Sequence, residues 1–189
     1  MNPVLVVVET RHGHCAKIAE RVVDRIRAEG LEVYLEQSPG AHPIAVSRFG
    51  AAVVIAAVYD RRYPRSIEEL VRSHAYALSS CPSAFISVSL GAAAKRKSAK
   101  AGIARLTRSF LERTGWRRCH VVMTGGCIAY PLYAPWLRRT MRMAAWLMGL
   151  PTDTTKSHDL TTWSAIDDAA DEVLADLATL RLQTPMRVA

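Results

Sequence analysis

The chain has 189 residues, half of them hydrophobic, and a formal net charge of +8. That length suits one domain with a substantial core, and that composition excludes a disordered chain. No apolar run is long enough to cross a bilayer, and the N-terminal run lacks the basic lead of a signal peptide, so a cytoplasmic location is expected.

Val4–Val8 is fully apolar and reads as a buried parallel strand. The polar loop Glu9-Thr10-Arg11-His12-Gly13-His14-Cys15 follows, and then an amphipathic helix over Cys15–Glu29, stopped by Gly30. A strand feeding a helix through such a loop gathers free backbone N–H groups at the positive end of the helix dipole, where an anion is held. The spacing around Gly13 fits neither a P-loop nor a dinucleotide fingerprint. Glu32–Glu36 alternates like an edge strand, Ala51–Ala57 is a continuous apolar strand, and Ser66–Ser79 reads as a helix with Ser66 as N-cap. Ser83–Leu90 is the fourth strand, Lys100–Arg113 a helix ending at Gly115, and Cys119–Thr124 the fifth strand, running into Gly125-Gly126. Trp163–Leu182 is the last helix, capped by Thr161 or Thr162, and the tail at 184–189 is expected to fray.

Strands alternating with helices predict an α/β fold: a doubly wound, five-stranded parallel sheet with helices on both faces. The order 2-1-3-4-5 suits five strands with an anion loop after the first, and it places ligands at the carboxyl ends of strands one and three. Residues 1–183 are expected to form one domain, with 127–160 as an inserted segment. Within it, Trp136–Met148 reads as a helix without an acidic residue. At about 100° per residue Arg138, Arg139 and Arg142 share one face, with Leu137, Met141, Ala144 and Met148 on another. That pattern suits a helix docked on the sheet, or one lying in a membrane interface.

Cys15, Cys81, Cys119 and Cys127 show neither a CxxC nor a zinc spacing, and reduced, buried thiols are expected. The His12, His14 and Cys15 spacing is not diagnostic of a metal, and none is assigned. The positive charge clusters at Arg61-Arg62 with Arg65, at Lys95-Arg96-Lys97, at Arg117-Arg118, and along the Arg138–Arg142 segment. No nucleic-acid motif accompanies it, which leaves anionic ligands or an anionic membrane surface.

The Thr10–Gly13 loop resembles the flavodoxin-type phosphate loop, in which hydroxyl residues and one Gly wrap the phosphate of FMN. Glu9 stands where flavodoxins usually carry Ser or Thr, and Cys15 replaces a hydroxyl residue. Taken with Pro82-Ser83-Ala84-Phe85, Trp116-Arg117, Tyr130-Pro131, Thr152-Asp153-Thr154 and Thr162-Trp163, the chain resembles the bacterial menaquinone-dependent protoporphyrinogen oxidases, over nearly its whole length. The resemblance implies that protoporphyrinogen IX is oxidised through FMN, with electrons passed to menaquinone or ubiquinone. It also implies FMN contacts from Thr10, Arg11, His12, Gly13, His14 and Cys15. The first ring-side loop would be Tyr59, Asp60, Arg61, Arg62 and Tyr63, and the second Ser89, Leu90, Gly91 and Ala92. With a bilayer quinone as acceptor, the interfacial reading of Trp136–Met148 becomes the better one, with the protein on the inner face of the cell membrane. Two alternatives stay open: a quinone reductase with another donor, and a flavodoxin-like binding module that has lost FMN.

Overall fold

The computed structural model describes residues 2–37 and 44–183, so the 184–189 tail lies outside the described residues. Five parallel strands, β1 (Val4–Glu9), β2 (Val33–Gln37), β3 (Ala51–Ala57), β4 (Ser83–Val88) and β5 (His120–Thr124), pair in the order β2-β1-β3-β4-β5. The three central strands are buried along their lengths, as expected of strands covered on both faces. β2 and β5 alternate, as edges do.

Strand parity divides the core. Val4, Val6, Val8, Val53, Ile55 and Ile86 face α1 (His14–Ala28) and α7 (Trp163–Gln183). Leu5, Val7, Val54 and Phe85 face α2 (Arg65–Ser73), α3 (Ala75–Ser80) and α5 (Lys97–Thr114). On this second side Phe85 stacks on Phe110 at 4.9 Å, and Trp116 donates its indole N–H to Ser83 at 3.2 Å.

Three elements depart from the sequence reading. The expected Ser66–Ser79 helix is two helices, broken at His74, whose ψ is 17°. Pro64, not Ser66, precedes its first turn. The break leaves no trace in the pattern because Ile67, Val71 and Leu78 keep one buried face across it. The fourth strand stops at Val88, where the Ser89 hydroxyl accepts from the Ala92 N–H and opens the short α4 (Leu90–Ala93). Within 127–160, β6 (Cys127–Ala129) and β7 (Ser157–Asp159) form an antiparallel pair that brackets α6 (Pro135–Met148). A small core of Ile128, Tyr130, Ala145 and Leu150 seats α6 over the carboxyl ends of the strands.

Candidate functional site

β1 pairs with both β2 and β3, and the crevice at the carboxyl ends of β1 and β3 is where open α/β sheets bind ligands. A cavity of about 330 Å³ lies there. Its floor is Ala57, Val58, Val88 and Ser89, one wall is His12, His14, Cys15, Tyr59 and Asp60, and the other is Leu90, Gly126, Cys127 and Tyr133. Leu137 and Met141, four residues apart on α6, close it. A roomier groove of about 650 Å³ between α1 and α7 holds paired charges, Arg21 with Asp167 and Arg25 with Asp171, both at 2.7 Å.

The loop after β1 is built for an anion. The Gly13 N–H donates to the Thr10 hydroxyl at 3.0 Å, closing a turn that Gly13 completes at φ 77°. A Cβ there would meet nothing within 4 Å, so the space over Gly13 is open. The first turn of α1 starts beside it, with amide N–H groups that have no intrahelical acceptor. Arg11 is exposed on this loop. Glu9, on the Leu5 and Val7 face of β1, is turned toward α2, where its carboxylate accepts the Ser66 hydroxyl. Burial raises its pKa and Arg11 partly offsets this.

His14 lines the cavity but its Nε2 is held by the Thr161 hydroxyl at 2.7 Å, with Asp159 at 3.7 Å. Burial lowers its pKa, opposed by Asp159 and aided by Lys17. The Cys15 thiol is buried and pushed up to about 12, so the helix N-terminus does not make it a reactive thiolate.

The first ring-side loop divides between cavity and core. Tyr59 and Arg62 exchange backbone hydrogen bonds at 2.9 and 2.8 Å around Asp60 (φ 47°) and Arg61 (φ 59°). Two positive φ values define a type I′ turn, here without the Gly that such turns favour, and backbone strain of this kind concentrates at functional loops. Tyr59 carries the Arg11 guanidinium 4.6 Å from its ring centroid, and His12 meets it edge-on at 6.1 Å. Arg61 and Arg62 line a separate groove with Arg65 and Glu68. Tyr63 is a core residue rather than a ring contact. It packs on Phe85 and Phe110, and its hydroxyl meets Ser87 and Thr107, each at 2.8 Å.

In the second ring-side loop Ser89 and Leu90 reach the cavity, while Gly91 packs on α5, where a Cβ would lie 2.7 Å from Ile103. Ala92 follows in α4 and does not line the cavity. Cys127, Tyr133, Leu137 and Met141 escaped the sequence reading as cavity residues, although the spacing of Leu137 and Met141 already marked an inward face. Arg138 keeps its expected face and gains two backbone partners. It stays beside Arg139 and Arg142 on one flank of α6 and donates to the Tyr130 carbonyl at 3.1 Å and the Tyr133 carbonyl at 3.2 Å.

An anion loop on a 2-1-3-4-5 sheet, opening into a largely apolar cavity at the strand ends, defines the flavodoxin class. The family model described as a flavodoxin domain matches residues 5–155, and the chain belongs to that family. FMN is the cofactor of this class, and the open Gly13 turn, the free end of α1 and the apolar cavity fit it. The protoporphyrinogen IX dehydrogenase [quinone] of Escherichia coli strain K12 is 27% identical over 94% of this chain and 98% of its own. A protein of the same name from Leishmania major is 26% identical over 97% of this chain and 78% of its own. Among solved structures, the flavodoxin of Streptococcus pneumonia TIGR4 superposes with a TM-score of 0.55 at 16% identity, covering 91% of this chain and 97% of that one. A short-chain flavodoxin associated with a PDU bacterial microcompartment gives 0.58 at 11%, covering 93% and 98%. The chain is thus a flavodoxin-like oxidoreductase.

Proposed function

We propose that this protein oxidises protoporphyrinogen IX through FMN and passes the electrons to a membrane quinone, menaquinone or ubiquinone, while resting on an anionic membrane surface. One observation carries the reading. The phosphate-type loop, the cavity and α6 meet at one end of the sheet, and α6 is apolar on two sides, with Leu137 and Met141 toward the cavity and Trp136, Met143, Trp146 and Leu147 exposed. Among the described residues no helix is long and apolar enough to cross a membrane, and the exposed apolar side of α6 suits a contact in the plane of the interface. The names of the relatives supply the substrate and the acceptor class.

In this reading Thr10, Gly13 and the first turn of α1 hold the FMN phosphate, Arg11 balances its charge, and Tyr59 lies beside the ring. Bound FMN supplies the electron-accepting chemistry. The side chains of Leu90, Leu137 and Met141 keep water from the ring, and the exposed basic residues attract the carboxylates of the porphyrinogen. Residues 1–183 act as one unit, with 127–160 as the membrane-facing insert.

Titration of the apoprotein with FMN, followed by quenching of flavin fluorescence, tests this first. One tightly bound FMN per chain is expected, and then protoporphyrin fluorescence should grow from protoporphyrinogen when menaquinone is present. A folded chain that binds no FMN would overturn the proposal and favour the non-catalytic module.

A further inference from the structure

On the flank of α6 away from the cavity lies a second concavity, about 400 Å³, lined by Pro135, Trp136, Arg138, Arg139, Arg142 and Thr154. We propose that it binds the phosphate of a membrane lipid headgroup, so that α6 recognises lipid rather than merely touching it. The inference rests on the peripheral membrane reading above.

Three features point to a phosphate. No carboxylate lines the groove. The acid nearest in sequence, Asp153, is turned onto Thr155, whose N–H and hydroxyl it accepts at 3.0 and 2.6 Å, with Lys156 at 3.6 Å. Arg139 and Arg142 have no carboxylate partner among the described residues and share the groove with Arg138, so three guanidinium groups converge there without an acid to neutralise them. Finally, Arg138 is fixed by the two carbonyls it donates to, and the rest of its five N–H donors remain for a ligand. A fixed guanidinium loses little freedom on binding a phosphate.

Position selects a lipid over the substrate's carboxylates. At about 100° per residue, Leu137 and Met141 lie on the cavity flank and Arg138 and Arg142 on the other, with Ala145 buried between them. A ligand in the cavity would have to cross the helix to reach the arginines. Trp136 belongs both to the groove and to the exposed apolar face, and an indole at that junction sits at headgroup depth.

The test is sedimentation of the full chain with phosphatidylcholine vesicles, with and without phosphatidylglycerol. The R139Q/R142Q variant should bind the anionic vesicles roughly 30-fold more weakly, the loss expected for two cations at such a surface. R117Q/R118Q, which removes the same charge from an exposed turn at the opposite end of the sheet, should stay within about threefold of the natural chain. Equal losses in both variants would reduce the effect to general charge and overturn the groove, as would no loss in R139Q/R142Q. Displacement by millimolar inorganic phosphate at constant ionic strength would show that the groove takes free phosphate, and would overturn the lipid assignment. If the natural chain ignores anionic vesicles, the membrane reading fails and the groove with it. FMN binding, read on the same samples, stands or falls separately.

Discussion

Two tyrosines four residues apart were equal candidates for the flavin ring in the sequence, and only packing separates them. Tyr63 points across β4 into a core of aromatic rings, because Ser87 and Thr107 offer its hydroxyl two buried partners. No pattern in the chain announces that pocket, since Ser87 lies on a strand and Thr107 on a helix. Tyr63→Phe leaves the Ser87 hydroxyl buried without its partner and should cost about 2 kcal/mol of stability with FMN affinity unchanged. Tyr59→Ala should weaken FMN binding by about tenfold, the value of one aromatic contact, along with a loss of stability from the ring's packing on the core. Equilibrium denaturation and flavin titration of the two variants read both axes. His14 adds a pH dependence. Its folded pKa lies below 6.5, chiefly through burial, so the unfolded chain binds the extra proton first. The residue contributes no pH dependence well above pH 6.5, and stability falls as the pH drops through and below that value. A comparison of melting temperature against pH for the natural chain and His14→Gln should show the steeper acid-side loss in the former, the loss common to both being that of carboxylates held below their usual range, such as Asp167 beside Arg21.

At the scale of elements, the sheet was legible because β1 and β3 carry unbroken apolar runs, β4 is interrupted only by Ser, and the loops carry Gly at the helix ends. The order of strands followed from their number and the anion loop. What the chain concealed was pairing at a distance, where local pattern is silent. β6 and β7 are three residues each and lie far apart in sequence, and their pairing places Thr161 and Leu160 against the end of β5. Gly125 is where that junction is tightest. A Cβ there would lie 2.1 Å from the Leu160 carbonyl oxygen and 2.6 Å from its carbon, both backbone atoms that cannot yield alone. Gly125→Ala should therefore cost on the order of 3 kcal/mol and loosen the His14–Thr161 contact. Gly102, inside α5 with nothing within 4 Å of its would-be Cβ, gives the opposite result. Gly102→Ala should gain about 1 kcal/mol, because Ala restricts the unfolded chain and favours the helix. Thermal unfolding of the pair distinguishes a glycine required by contact from one that is merely tolerated.

For the whole molecule, the consequence lies in where function is gathered. The cavity, anion loop and α6 occupy one end of the sheet, so on the proposed function a quinone arriving from a bilayer would meet the cavity without the protein having to turn over. Trp136 and Trp146 are 69% and 70% exposed on the outward side of α6, and neither lines the cavity. If they seat the molecule on the bilayer, their loss changes delivery of the acceptor and leaves the chemistry alone. W136A/W146A should keep its FMN and its melting temperature, since no buried contact is lost. With a short-chain, water-soluble quinone it should oxidise protoporphyrinogen at the natural rate. With menaquinone confined to anionic vesicles its rate should fall at least about tenfold, as two interfacial aromatic anchors are removed. Equal loss with both quinones would place the tryptophans in the chemistry rather than at the membrane. Equal retention would mean that the quinone reaches the cavity by another route, and α6 would then be only a roof over the site.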